Sequence, residues 1–237
     1  MITFAGPSPA MAAEPIDVVF DLDWTLIYPT NENMALAVPK NTFKIGNNLF
    51  RLTDHAVEIL LELHQQPDVR ISFFSGGARE RNTAVVKIIY DLMNKPEYRP
   101  HKILSFEDLT VISTDKDLKF AQRNKKDIGK FFNLQRAMLV DDIEDFILPG
   151  QEQNEKWLGK TYNDRPKFEL QSLEETKDAA YSAPNFNEWL RERNKLVTVK
   201  EIILKTLELT RQNSKTFVEN LQSFIILPGL CAGLFSP

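Results

Sequence analysis

The chain has 237 residues, 43% of them hydrophobic and 26% charged, which suits a globular protein of one large domain plus an appendage. Its single cysteine, Cys231, excludes an internal disulfide, a cysteine-based zinc cluster and, with no arginine after it, a cysteine-type phosphatase loop. A net charge of −4 argues against non-specific nucleic-acid binding.

Residues 1 to 15 lack the basic start of a secretion signal and read as a flexible lead-in. The apolar run Ile16 to Phe20 then reads as a strand, and Asp21-Leu22-Asp23-Trp24-Thr25-Leu26 begins where it ends. Carboxylates two residues apart at a strand end point roughly the same way, and in an open α/β sheet that edge is where ligands bind. Thr25 is expected to order the turn through a local hydrogen bond, and Trp24 to be either a packing residue or a substrate wall, with packing favoured. From Tyr28 to Thr53 there is room for a hairpin, Thr42 to Ile45 and Leu49 to Leu52 about the turn Gly46-Asn47-Asn48, but not for a lid domain.

Thr53 is positioned to cap a helix over Asp54 to Gln66, and a second helix is predicted over Glu80 to Asn94. Between them the strand Val69 to Phe74 stops at Ser75-Gly76-Gly77, where glycines allow close approach and expose amide donors. Arg79 and Arg81 follow, where their side chains could reach a substrate phosphate or an acidic neighbour, and a surface role is favoured for each. The stretch Leu109 to Ser113 is the next predicted strand, with Lys116 after it as a point positive charge. Residues 115 to 136 are locally basic, read as a solvated helix face or as an attractor of acidic phosphopeptides. The apolar Ala137 to Val140 then runs into Asp141-Asp142 and Asp145. If the first and last of these strands are neighbours, five carboxylates converge, and such a cluster requires a cation. An all-oxygen site suits Mg2+ before Ca2+, since no Ca2+-binding loop pattern is present.

In this order the motifs resemble the haloacid dehalogenase superfamily of aspartate-based phosphohydrolases, with an Asp-x-Asp, a Ser or Thr, a Lys and an acidic pair, over about residues 16 to 146. Ser75 follows Asp23 by 52 residues, Lys116 follows by 41 more and Asp141 by another 25. The local wording around Lys116-Asp117-Leu118 is similar to the NLI-interacting-factor-like branch, which includes phosphatases of the RNA polymerase tail, although Ile143-Glu144-Asp145 stands where that branch has Ser-Pro. Bacterial effector phosphatases belong to the same superfamily. The resemblance implies an α/β, Rossmann-like fold with a central parallel sheet, a minimal cap and a C-terminal helical appendage. It implies Asp21 as nucleophile, Asp23 as general acid and base, Ser75, Gly76 and Lys116 as phosphoryl-oxygen ligands, and Mg2+ held among Asp21, Asp23, Asp141 and Asp142. A receiver domain uses similar parts, but in the reverse chain order.

The chemistry agrees with that reading. Attack by a carboxylate splits one difficult displacement into two, and a cation must offset the charge on the transferring oxygens. A site without a lid favours a phosphoprotein or phosphopeptide, on tyrosine or on serine and threonine. A small-molecule phosphatase or phosphotransferase, and a catalytically idle binding module, are the alternatives.

After about residue 150 the chain is polar, with an edge strand expected at Lys167 to Leu170. Thr198 with Glu201 forms a capping-box pattern opening a long helix with Ile203, Leu207, Thr210, Phe217 and Leu221 on one face. The domains expected are thus 16 to 195 and 196 to 237. The uncharged Phe224 to Phe235 is too short to cross a bilayer, which takes about 20 residues. The helix and tail are read as docking on the domain, meeting a partner or touching a membrane. A cytoplasmic monomer is expected, with membrane association through the C-terminal region and delivery into a host cell left open.

Overall fold

The computed structural model describes residues 14–30, 41–157 and 194–224. In chain order the strands are β1 (Ile16–Phe20), β2 (Ile27–Pro29), β3 (Thr42–Ile45), β4 (Asn48–Leu52), β5 (Val69–Phe74), β6 (Ile103–Leu104), β7 (Thr110–Val111), β8 (Asn124–Lys125), β9 (Ala137–Asp141) and β10 (Glu155–Trp157). The helices are α1 (Ala56–His64), α2 (Arg79–Met93), α3 (Phe120–Arg123), α4 (Lys195–Gln212) and α5 (Phe217–Leu221).

Five strands form one sheet in the order β10-β9-β1-β5-β6, with every neighbouring pair parallel. The chain steps outward from β1 to β5 and β6, then returns to the other side of β1 for β9 and β10. The reversal falls between β1 and β9, and a crevice at the carboxyl ends of the strands is expected there. β1 is buried along its whole length, as a central parallel strand must be. Its one charged residue, Asp17, takes two hydrogen bonds from Arg70, its register partner on β5, at 2.9 and 2.6 Å.

Alternate residues of the strands face two clusters. Val18, Phe20, Ile71, Phe73, Met138 and Val140 pack with apolar residues of α1, α2, α4 and α5. On the opposite face Val19, Phe74 and Leu139 meet Ile128, Phe132 and Ile147 from a stretch built of short 3-10 turns.

The hairpin is present and gains a strand, because β2 adds to β4 to make a three-stranded antiparallel sheet. Gly46 carries the turn at φ +57°. Four expectations are corrected. Leu109 to Ser113 does not enter the main sheet: β7 pairs only with β8, and the strand beside β5 is β6, whose two residues are too few to show a periodic pattern. Thr53 does not cap α1; His55 holds that position at φ +65° without a side-chain cap. Thr198 lies inside α4, its hydroxyl bonded back to the Asn194 carbonyl, so the Thr198–Glu201 pair is no cap. The long C-terminal helix breaks before Thr216, which caps α5 in a capping box with Glu219.

α4 and α5 bury Leu196, Ile203, Leu207, Phe217 and Leu221 in the first cluster. The edge strand at Lys167 to Leu170, the lead-in before residue 14 and the tail after Phe224 lie outside the described residues. Among the described residues no helix is long and apolar enough to cross a membrane.

Candidate active site

β1 and β9 lie side by side, Phe20 opposite Val140, so the acids that follow each strand meet at one edge of the sheet. The Asp21 amide donates to the Val140 carbonyl at 2.9 Å, which fixes the first acid against the second strand. Asp21, Asp141 and Asp142 are all buried, each offering a carboxylate oxygen within 4.8 Å of the others. Directly after Asp21 the chain folds sharply: the Leu26 and Ile27 amides both donate to the Leu22 carbonyl at 2.9 Å. Trp24 sits within this turn at φ +64°, a conformation costing on the order of 1–3 kcal/mol for a bulky side chain. Its ring stacks on Tyr28, centroids 6.3 Å apart. Thr25 makes no local hydrogen bond, contrary to expectation; its hydroxyl is buried without a partner among the described residues.

The cation in the cluster is Lys126. Its ammonium donates to Asp21 Oδ1 and to Asp141 Oδ2, both at 2.6 Å, and the side chain is fully buried. Its backbone is clamped by Phe146 and Leu148, through hydrogen bonds of 2.7 and 3.0 Å. The Phe146 ring lies 4.5 Å from the ammonium. Lys116 is not brought to the site: it sits in the exposed turn between β7 and α3. The assignment to Lys116 followed from taking β7 for a strand of the main sheet. Between Asp23 and Asp141 the sequence holds two Lys-Asp pairs, Lys116-Asp117 and Lys126-Asp127, each followed by an apolar residue, and in the structure the Ile128 after the second is buried. The two pairs look alike in the sequence, and only the fold separates them.

Burial pushes the Asp21 carboxyl well above its usual range; Lys126 opposes this, while Asp141, Asp142 and Asp23 add to it. Burial alone would lower the Lys126 pKa, but Asp141 and Asp21 outweigh it and hold the ammonium protonated. Three buried carboxylates against one ammonium leave a surplus of negative charge. Asp141 is held through both oxygens, the second accepting from the Ile143 amide at 2.9 Å. The buried carboxylate oxygens of Asp21, Asp141 and Asp142 fit a hard divalent ion such as Mg2+.

Asp23 stands apart from this group, its side chain 38% exposed. It accepts from Ser75 Oγ at 3.0 Å and from both terminal nitrogens of Arg81, one at 2.8 Å. Arg81 therefore reaches an acidic neighbour, the option ranked below a surface role in the sequence. Ser75 and Gly76 lie at the carboxyl end of β5, and the turn is tied from beneath by Asn82. That buried amide donates to the carbonyl of Gly77 at 2.9 Å and to Ser105 Oγ at 3.1 Å. Nothing about a lone asparagine at the start of a helix announced this role. The Asp145 side chain lies outside what is described.

Fold and site together define a parallel α/β domain with an acidic, lysine-braced cluster at the sheet edge where the strand order reverses. No protein-family model and no curated protein matches the chain. Among solved structures it is similar to Fcp1, an essential RNA polymerase II CTD phosphatase, over 88% of this chain and 70% of that one, with 12% identity and a TM-score of 0.48. It is also similar to an arginine-to-alanine variant of the fission yeast enzyme bound to beryllium fluoride, over the same shares, with 11% identity and a TM-score of 0.46.

Proposed function

We propose that the protein is a Mg2+-dependent phosphatase of phosphoproteins working through an aspartyl-phosphate on Asp21. The observation that carries the reading is Lys126, held 2.6 Å from both Asp21 and Asp141 beneath a cluster of three buried carboxylates. A nucleophile at such a floor needs its charge offset, yet must keep a free oxygen for attack. Asp21 does, because Lys126 engages only its Oδ1.

In the first step an Asp21 oxygen forms a bond to phosphorus while the ester P–O bond breaks, its electrons passing to the leaving oxygen. Asp23, on the exposed side, would give that oxygen a proton in its protonated form, turned away from Arg81. In the second step Asp23 takes a proton from water as the water oxygen attacks phosphorus, and the bond to Asp21 breaks with release of phosphate. The Gly76 amide and the remaining N–H of Lys126 would donate to the phosphoryl oxygens, joined by Ser75 Oγ once its hydroxyl turns from Asp23. Asp21 and Asp142 would hold the Mg2+, with Asp141 beside them, and the ion when bound neutralises charge on the nucleophile and the phosphoryl group. Arg81 positions Asp23. The three-stranded sheet of β2, β4 and β3 is a small cap, which favours a large substrate over a small metabolite.

The test is Mg2+-dependent phosphate release from matched phosphotyrosine and phosphoserine peptides by the wild type and by Asp21→Asn. Release that needs the metal and is lost in the variant is expected. Release retained by Asp21→Asn overturns the mechanism. Release from small phosphomonoesters but from neither peptide overturns the protein substrate alone.

A further inference from the structure

The exposed large apolar side chains among the described residues are not scattered. Phe106, Val111, Ile112, Leu118 and Phe120 all fall between β6 and β8, and Ile143 directly follows Asp142; only Leu92 lies elsewhere. Scattered single exposures need no explanation, but a set gathered in one stretch of chain, two of whose rings stack beside the acidic site, does.

Phe106 and Phe120 are 49% and 41% exposed and stack on each other, with centroids 6.1 Å apart and planes at 28°. Phe120 meets the buried Phe146 edge-on at 5.8 Å, and Phe146 lies against the Lys126 ammonium. One aromatic run therefore leads from the cation on the floor of the site to the surface. It is fixed to the Ser75 turn at both ends of the exposed pair. The Phe106 amide donates to the Gly77 carbonyl at 2.9 Å, and a Cβ on Gly76 would come within 3.1 Å of Phe120 Cε1. The missing side chain at Gly76 thus lets the ring close on the donors that would hold a phosphate.

The geometry points to Phe106 and Phe120 as the binding wall for the ring of a phosphotyrosine carried on a protein segment. This rests on the reading of the site as a phosphatase. With the phosphate on Ser75, Gly76 and Lys126, the ester group that comes next lies against Phe120. In phosphotyrosine that group is an aromatic carbon, whose ring offers a face to the stacked pair; in phosphoserine it is one methylene, which offers little to stack on. The flanking charges agree: Lys116, Lys119 and Arg123 outnumber Asp115 and Asp117 around Phe120, and the ligand is a dianion.

The test pairs binding with turnover. Anisotropy of a labelled phosphotyrosine peptide is measured on Asp21→Asn and on the same protein carrying Phe106→Ser and Phe120→Ser, with the matched phosphoserine peptide alongside. Turnover of both peptides is measured with and without the two serine changes. Loss of two ring contacts should weaken phosphotyrosine binding about tenfold and narrow its advantage over phosphoserine by a similar factor, through KM rather than kcat. Unchanged phosphotyrosine affinity, or an equal loss for both peptides, overturns the wall. So does a dimer that becomes monomeric when both rings are removed, which would make a second copy the occupant. Because binding is read separately, absence of turnover in the wild type strikes the phosphatase reading, while the binding comparison still decides on the wall.

Discussion

At the scale of single residues the site turns on which lysine serves it. Lys126 is wholly buried between Asp21 and Asp141, whereas Lys116 stands in solvent, so their removal should differ in kind. Lys126→Met leaves two buried carboxylates without their cation. Breaking a buried pair of this type costs about 3–5 kcal/mol, and losing a donor to a transferring group costs about 100- to 1,000-fold in kcat. Lys116→Ala should change kcat/KM by less than about twofold, as surface changes do. Urea denaturation and phosphate-release kinetics on the two variants check both statements; equal effects would remove Lys126 from the site. The acids were legible in the sequence because each pair terminates an apolar run that could only be a buried strand. The lysine was not, because it sits on no long element and is held through the backbone carbonyl of Phe146, twenty residues later in the chain. Arg81 could be named only as one of two options for a related reason: its partner Asp23 is distant in sequence, and charge patterning sees only neighbours.

At the scale of elements, long periodic segments came through and short ones did not. β1, β5, β9, α1 and α2 lie within a few residues of where their apolar patterns put them, while β6 and β10 are too short to carry a pattern. The start of α2 shows how an element shapes the site. Asn82 bonds the Gly77 carbonyl, and a Cβ on Gly77 would fall 2.6 Å from its Oδ1. Gly77→Ala should therefore displace a buried, hydrogen-bonded amide and cost about 1–3 kcal/mol, measurable as a lower urea midpoint. It should also lower kcat, because Ser75 and Gly76 move with the turn. A second junction, between α1 and α2, is sensitive to pH. His64 bonds Tyr90 Oη at 2.8 Å and stacks on Tyr98 at 4.5 Å, and burial lowers its pKa below 6.5. Between that lowered value and 6.5 the unfolded chain binds more protons than the folded one, so stability falls as pH drops through this window and levels off beneath it. His101 is shifted the same way, chiefly by burial with Arg70 adding to it. His64→Phe should flatten part of the decline in melting temperature between about pH 7.5 and pH 5. An unaltered slope would assign the whole effect elsewhere.

For the molecule as a whole, the question is whether the helices after residue 194 are an appendage or part of the catalytic body. They were separable in the sequence, where a change of composition and an amphipathic face suggest a helix that could dock anywhere. In the structure Ile203 and Phe217 are fully buried in the same cluster as Val18 and Phe20 of β1, whose next residue is Asp21. Arg211 adds an ion pair to Asp68, in the turn that leads into β5, and this holds the Asp68 carboxyl below its usual range. With both groups substantially exposed that pair contributes less than about 1 kcal/mol, so the helices are held by packing. Truncating a core residue of this kind costs about 2–5 kcal/mol, from lost apolar contact and the cavity left behind. Phe217→Ala should therefore destabilise the entire protein, shifting one transition seen alike by near-ultraviolet dichroism, by far-ultraviolet dichroism and by the loss of phosphate release. Two resolved transitions, with activity outlasting the first, would instead mark α4 and α5 as a unit that melts from an intact catalytic sheet. A shared core makes the single transition the expected result, because the strand that presents the nucleophile and the helices that cover it lose the same contacts at once.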